Sequence, residues 1–340
     1  MSSLLLLLAC TGPADVPPDQ DDGPATAETA DTGDEAQPIV VVTFNSGTTT
    51  GLPHDAEPDD GYTSAQAAIS DAHYGDGLAW PPAIEAAQAF FATVQPDIVG
   101  FQEIFHPEVC PSLPPEALPD FLCATWQPGD PTVVQMLLGP DYQVACHPGK
   151  PDKCLAVRKA FGTFDGCDDD LCMEGLDGGT IEGCGSGSRV ARGTVLRADG
   201  TELTLTHVHG SSGIDADDQD CRLQQIDQVF VDLGDGAPAA NGSANVVLGD
   251  FNTDPGRWAS FDPSAAAWTS YVDGDPFAWV TEAGPDAPLT YQGVATIDHV
   301  ASDVYAGTCW HPGVTDGEPA LLDAVYFDHT PAVCALTPRP

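Results

Sequence analysis

The chain is predicted to be an α/β protein with one large folded domain, on the strength of three features. Its 340 residues, 42% hydrophobic and 8% aromatic, can bury a sizeable core yet stay within the size of one α/β domain. Short apolar runs bounded by turn residues recur along it, as expected of buried strands. Between them lie segments whose apolar residues return at helical spacing.

The elements follow in chain order. Met1 to Ala9 is an apolar run ending at Cys10, far too short to span a bilayer. Residues 11–37 are rich in Pro, Asp, Gly, Thr and Ala, with hardly any large apolar side chain, so they are expected to form a flexible acidic tether. The folded domain is expected over 38–340. Ile39 to Phe44 is a β-rich run that should end at Asn45. Pro81 to Gln95 has Pro at its start and Ile84, Ala87, Phe91 and Val94 at helical spacing. Ile98 to Phe101 is a second buried strand with Gln102 and Glu103 at its exit. Val190 to Leu196 and Glu202 to Val208 flank an Ala-Asp-Gly turn and predict a hairpin with His207 and His209 at the far end of its second arm. Leu223 to Leu233 reads as a helix, Val246 to Leu248 as the central strand, and Thr296 to Ala301 and Ala332 to Leu336 as short strands.

After the central strand, Gly249 is expected to turn the backbone, and Asp250 and Asn252, two residues apart, would share one face. A carboxylate and a carboxamide so placed can hold an oxyanion, a water or a hard cation. The alternative is an Asx turn bonding only backbone groups. The rest of the chain weighs against that alternative, because strand, turn and polar residue recur at Asn45, Glu103, His207, Asp298, and Asp328 with His329.

In that order the pieces Thr43-Phe44-Asn45, Gln102-Glu103-Ile104, Leu205-Thr206-His207-Val208, Gly249-Asp250-Phe251-Asn252, Ile297-Asp298-His299-Val300 and Asp328-His329-Thr330-Pro331 resemble the endonuclease/exonuclease/phosphatase superfamily, in its deoxyribonuclease and neutral sphingomyelinase branch. The resemblance implies a four-layered α/β sandwich, two packed mixed sheets flanked by helices. It implies Mg2+ or Mn2+ held by Glu103, Asn45 and Asp328, whose oxygens suit hard cations. It also implies an acid/base pair of His329 and Asp298, with Asp250 and Asn252 positioning water and phosphoryl oxygens, and His207 donating to a non-bridging oxygen. His209 is the register alternative to His207. His299 is expected to face away from Asp298 by strand alternation. The implied activity is hydrolysis of a phosphodiester by in-line attack of water.

Leu7-Leu8-Ala9-Cys10 resembles the end of a bacterial lipoprotein signal peptide, although the basic residues that usually precede the apolar run are missing. A plain signal peptide is the alternative. The resemblance implies a protein anchored through lipid at Cys10 in the cell envelope, at the outer membrane, or a secreted one; the chain is expected to be a monomer. The other ten Cys are an even number and read as up to five disulfides in an exported chain. Six of them fall between Cys123 and Cys184, in a Cys-rich insertion around 110–184 with little visible periodicity. The competing zinc site lacks any Cys-x-x-Cys pair.

With 52 Asp and Glu against 10 Lys and Arg, the formal net charge is -42. That balance argues against nonspecific nucleic-acid binding by charge alone. It leaves open a nucleic-acid or phospholipid substrate bridged by metal. A nuclease is the leading expectation, with a phospholipid or sphingomyelin phosphodiesterase, a phosphatase, and a catalytically silent surface protein as alternatives.

Overall fold

The computed structural model describes residues 37–57 and 59–340. The expected signal peptide, the lipidation site at Cys10 and nearly all of the tether lie outside the described residues. No described helix is long and apolar enough to cross a membrane.

The described strands are β1 (Ile39–Asn45), β2 (Ile98–Gln102), β3 (Tyr142–His147), β4 (Lys150–Arg158), β5 (Gly162–Phe164), β6 (Leu171–Cys172), β7 (Asp177–Gly179), β8 (Val190–Arg197), β9 (Glu202–His209), β10 (Asn245–Asp250), β11 (Ala278–Trp279), β12 (Asp298–Ser302), β13 (Tyr305–Trp310) and β14 (Ala332–Pro338). The α-helices are α1 (Ser64–His73), α2 (Pro81–Val94), α3 (Val133–Leu138), α4 (Ala216–Phe230) and α5 (Pro263–Val272). One sheet has the order β13-β14-β1-β2-β4-β3-β6. The other runs β11-β12-β10-β9-β8-β5, with β7 pairing β8. Each sheet is mixed and has a central parallel pair, β1 with β2 and β9 with β10, flanked by antiparallel neighbours; in the first sheet β6 adds a further parallel pairing at the β3 edge.

Three cores account for the layers. Val41, Ile98, Leu155, Leu205, Leu248 and Val300 fill the space between the sheets. Val42, Ile84, Phe91, Phe101 and Val133 pack α2 and α3 on the outer face of the first sheet. Ile226, Val229, Val247, Trp268 and Ala301 do the same for α4 and α5 on the second. This is the expected four-layered sandwich. Gly100 lets the sheets approach, because a Cβ there would lie 3.0 Å from both His207 and Leu248.

Several elements differ from the sequence reading. α4 begins at Ala216 and ends at Phe230, because Asp217 and Asp218 favour the positive end of the helix dipole in its first turn. α1 was not expected, although Thr63 and Gln66 form a capping box at its start. The Cys-rich region holds an antiparallel hairpin, β3 and β4, whose register shifts between Cys146 and His147 and which extends the first sheet. Gly249 does not turn the chain: β10 continues through it to Asp250, and its missing side chain admits the Val208 carbonyl, which a Cβ would approach to 2.0 Å.

Five disulfides join Cys110 to Cys123, Cys146 to Cys154, Cys167 to Cys172, Cys184 to Cys221 and Cys309 to Cys334. All ten Cys beyond Cys10 are therefore paired.

Candidate active site

The parallel pairs point their carboxyl ends to the same edge of the sandwich. In-register pairing sets Asn45 beside Gln102 at one end and Asp250 between His209 and Asp298 at the other. Crevices at carboxyl ends of parallel strands are natural ligand sites. Glu103 leaves β2 in a left-handed conformation, φ 56°, which carries its side chain into the crevice.

Asp250 is the hub. Asn45 Nδ2 donates to its Oδ2 at 3.0 Å from the opposite sheet. Asn252 donates to it twice, from its backbone N to Oδ1 at 2.8 Å and from Nδ2 to Oδ2 at 3.1 Å. Asn252 Nδ2 also donates to the Gly210 carbonyl at 3.1 Å, so this amide orients Asp250 and has no hydrogen left for a ligand. On the other side of Asp250, His329 presents Nε2 at 3.8 Å while its Nδ1 donates to Asp298 Oδ2 at 2.8 Å. Burial alone would depress the imidazole's pKa; the Asp298 carboxylate outweighs it and raises the value to about 10. His329 is therefore held as the imidazolium. Asp250, His329 and Asp298 present atoms within 4.8 Å of one another, a set that by type could hold a metal. Both ring nitrogens of His329 already face a carboxylate, which suits a proton relay better than a metal bond.

The oxygen donors Glu103, Asn45 and Asp328 gather around Gly47. A Cβ at Gly47 would fall 2.2 Å from Glu103 Oε2 and 3.1 Å from both Asn45 Oδ1 and Asp328 Oδ1. Glycine leaves that space open. Asp328 Oδ1 is buried without a hydrogen-bond partner among the described residues. Burial pushes the carboxyls of Glu103 and Asp328 up to about 7, with the His329 charge opposing and neighbouring carboxylates adding to the rise. Burial likewise raises Asp250. Converging oxygens short of positive charge fit Mg2+ or Mn2+.

His207 does not reach this cluster. It is fully buried between the sheets, two residues deeper along β9 than His209, opposite Leu248. Gln102 Nε2 donates to its Nε2, and its Nδ1 donates to His147 Nε2 at 2.8 Å. His147 in turn reaches Ser188 Oγ at 3.3 Å. Burial lowers the pKa of both imidazoles, so the chain Ser188, His147, His207, Gln102 is neutral. The expectation that His207 lines the site is thus corrected. His209, on the same strand face two residues on, lies 3.4 Å from Glu103 Oε1 and 3.8 Å from Asp250 Oδ2. His299 faces away, as strand alternation requires, and contacts the Thr253 carbonyl at 3.0 Å. Gly47 is a site residue that the sequence reading did not name. Its signal was a glycine two positions after a strand-end Asn.

Beside Glu103 and His209 opens a cavity of ≈ 480 Å³ whose walls include Lys150, Lys153 and Arg189.

No family model matches the chain, and no curated protein matches its sequence. Solved structures do match its fold. The human Nocturnin catalytic domain is 15% identical and superposes with a TM-score of 0.50, covering 89% of this chain and 95% of that one. An endonuclease/exonuclease/phosphatase protein from Beutenbergia cavernae is 16% identical with a TM-score of 0.50, covering 89% of this chain and 72% of that one. The chain therefore has the α/β-sandwich fold of these proteins.

Proposed function

We propose that the chain is an exported member of the endonuclease/exonuclease/phosphatase superfamily, a Mg2+- or Mn2+-dependent phosphodiester hydrolase acting on nucleic acid. The observation that carries this reading is Asp250, fixed by Asn45 and Asn252 and facing an imidazolium that Asp298 supports. Its fold neighbours from the superfamily support the assignment.

Asp250 orients the attacking water and accepts its proton, since three donors hold its carboxylate in one orientation. Asn252 is a positioning residue in this scheme. His329 donates to the phosphoryl group, and Asp298 fixes its tautomer and offsets its charge. His209, uncharged because burial lowers its pKa, offers Nε2–H to a phosphoryl oxygen in the role first read for His207. Glu103, Asn45 and Asp328 would hold the metal. That ion would supply charge neutralisation at the phosphate and at the departing oxygen.

Five disulfides suit an oxidising compartment and so support export. Lipidation at Cys10 would place the enzyme, as a monomer, on the cell envelope.

The test is hydrolysis of bis(p-nitrophenyl) phosphate and p-nitrophenyl phosphate by the full chain with Mg2+, Mn2+ or chelator, beside Asp250→Ala. Diester cleavage that needs metal and is lost in the variant is the expected result. Cleavage of the monoester alone would make the protein a phosphatase, and silence on both would favour a surface binding protein. Plasmid DNA, short DNA strands and sphingomyelin vesicles, supplied separately with Mg2+, then decide the substrate; breakdown of sphingomyelin alone would overturn the nuclease reading.

A further inference from the structure

The ten Lys and Arg side chains of this acidic chain are unevenly employed. Arg158, Lys159, Arg192, Arg197, Arg222 and Arg257 each meet a carboxylate on the protein's own surface or core. Arg339 is spent on backbone carbonyls. The remaining three, Lys150, Lys153 and Arg189, all line the ≈ 480 Å³ cavity that shares Glu103 and His209 with the catalytic crevice. Among the described residues neither Lys150 nor Arg189 has a carboxylate within ion-pairing distance. Arg189 Nη1 donates to the His209 and Gly210 carbonyls at 3.4 and 3.2 Å, and its buried Nε has no partner among the described residues. Lys153 is 2% exposed, and Asp152 accepts from its ammonium at 2.6 Å.

The cations are also held in place. Lys150 and Lys153 open β4, whose hairpin with β3 is closed by Cys146–Cys154. Arg189 follows a glycine-rich loop tied to α4 by Cys184–Cys221. Gly187 in that loop packs against the Lys150 stem, where a Cβ would come within 2.6 Å of its Cγ. Asp76, Asp152 and Glu103 add carboxylates to the same walls, so the cavity is balanced by itself. With Glu103 neutralised by metal, it becomes a cationic spot on an anionic molecule.

We propose that this cavity is an anion subsite of the crevice, in which Lys150 and Arg189, backed by the buried charge of Lys153, bind a second phosphate of the substrate strand, adjacent to the phosphodiester that is cleaved. The inference rests on the hydrolase reading and deepens it. Its volume suits one nucleotide-sized group rather than a long strand. The general acidity of the surface then discourages longer polyanions, so the enzyme selects short strands or strand ends by one well-placed phosphate.

The test compares the thymidine dinucleotide lacking a terminal phosphate with the same dinucleotide phosphorylated at its 5′ or its 3′ end, using the full chain with Mg2+. One phosphorylated form is expected to exceed the bare dinucleotide in kcat/KM by roughly ten- to a hundredfold, the worth of a hydrogen bond to a charged group. Lys150→Ala should cut that advantage to within about twofold, and Lys150→Glu should invert it. Equal rates for all three substrates, or an advantage that survives Lys150→Ala, would overturn the subsite and leave the hydrolase reading standing. If no dinucleotide is cleaved, the nucleic-acid reading of the substrate fails, and calorimetry decides the subsite alone. Thymidine 3′,5′-bisphosphate binding more tightly than thymidine 5′-monophosphate, by a margin lost in Lys150→Ala, upholds it. Equal affinities refute it.

Discussion

The strand-end cluster and the Cys-rich region that walls the cavity are built on different principles. Asn45, His209, Asp250 and Asp298 are placed by ladder hydrogen bonds in four central strands, where a slip of one residue would turn every side chain to the wrong face. Residues 107–189 contain short helical turns, strands of two or three residues and the β3–β4 hairpin, and three disulfides lie wholly within them. In the proposed hydrolase, the lattice of strands defines where the chemistry happens. Covalent ties define what may approach it. Chemistry and selectivity should therefore fail separately.

The largest effect expected is at the hub. Asp250→Ala should lower kcat on bis(p-nitrophenyl) phosphate roughly 10^3-fold or more, with the disulfides intact and the far-UV spectrum unchanged. Next comes the longest tie. Replacing Cys184 and Cys221 by Ser opens a loop with a sequence separation of 37, and the chain-entropy relation puts its worth at about 4 kcal/mol. The double variant should show a large fall in Tm, and its preference for a second phosphate should decline more than its rate on bis(p-nitrophenyl) phosphate. The corresponding loss for Cys167 and Cys172, separated by 5, is about 2 kcal/mol. If the short tie matters more than the long one, strain rather than loop closure governs this region.

The two histidines sharpen the contrast further. His209→Ala should reduce kcat by about a hundredfold with little change in Tm. His207→Ala should cost about 2 kcal/mol in stability, because it strands Gln102 and His147 in the core. The opposite pattern, a stable but inactive His207 variant, would return His207 to the site. The smallest effect belongs to a surface pair. Lys159 Nζ, half-buried, lies 2.6 Å from the exposed Asp170, and Lys159→Ala should change stability by no more than about 0.5 kcal/mol.

Much of the sandwich was legible because buried strands announce themselves. Apolar runs such as Ile39 to Phe44 and Val246 to Leu248 end in one polar residue, and that residue lies at the sheet edge where a crevice forms. The choice between His207 and His209 was not legible. Both share a face, and only pairing with β10 decides which is opposite Asp250. The β3–β4 hairpin was obscured by its short alternation around Pro148-Gly149, although Val144, Cys146, Cys154 and Ala156 all point to the core. The use made of Lys150 and Arg189 was invisible for another reason: a residue's lack of an ionic partner is a property of three dimensions.

The bond from Asn45 to Asp250 crosses from one sheet to the other and joins residues 205 apart in the chain. Under the proposed function, catalysis is thereby wired to the docking of two slabs that each could keep their own ladders if they drifted apart. Warming should silence turnover before it melts secondary structure, and the interval between those temperatures would measure how far the slabs slide before they come undone. The enzyme would then serve as its own strain gauge.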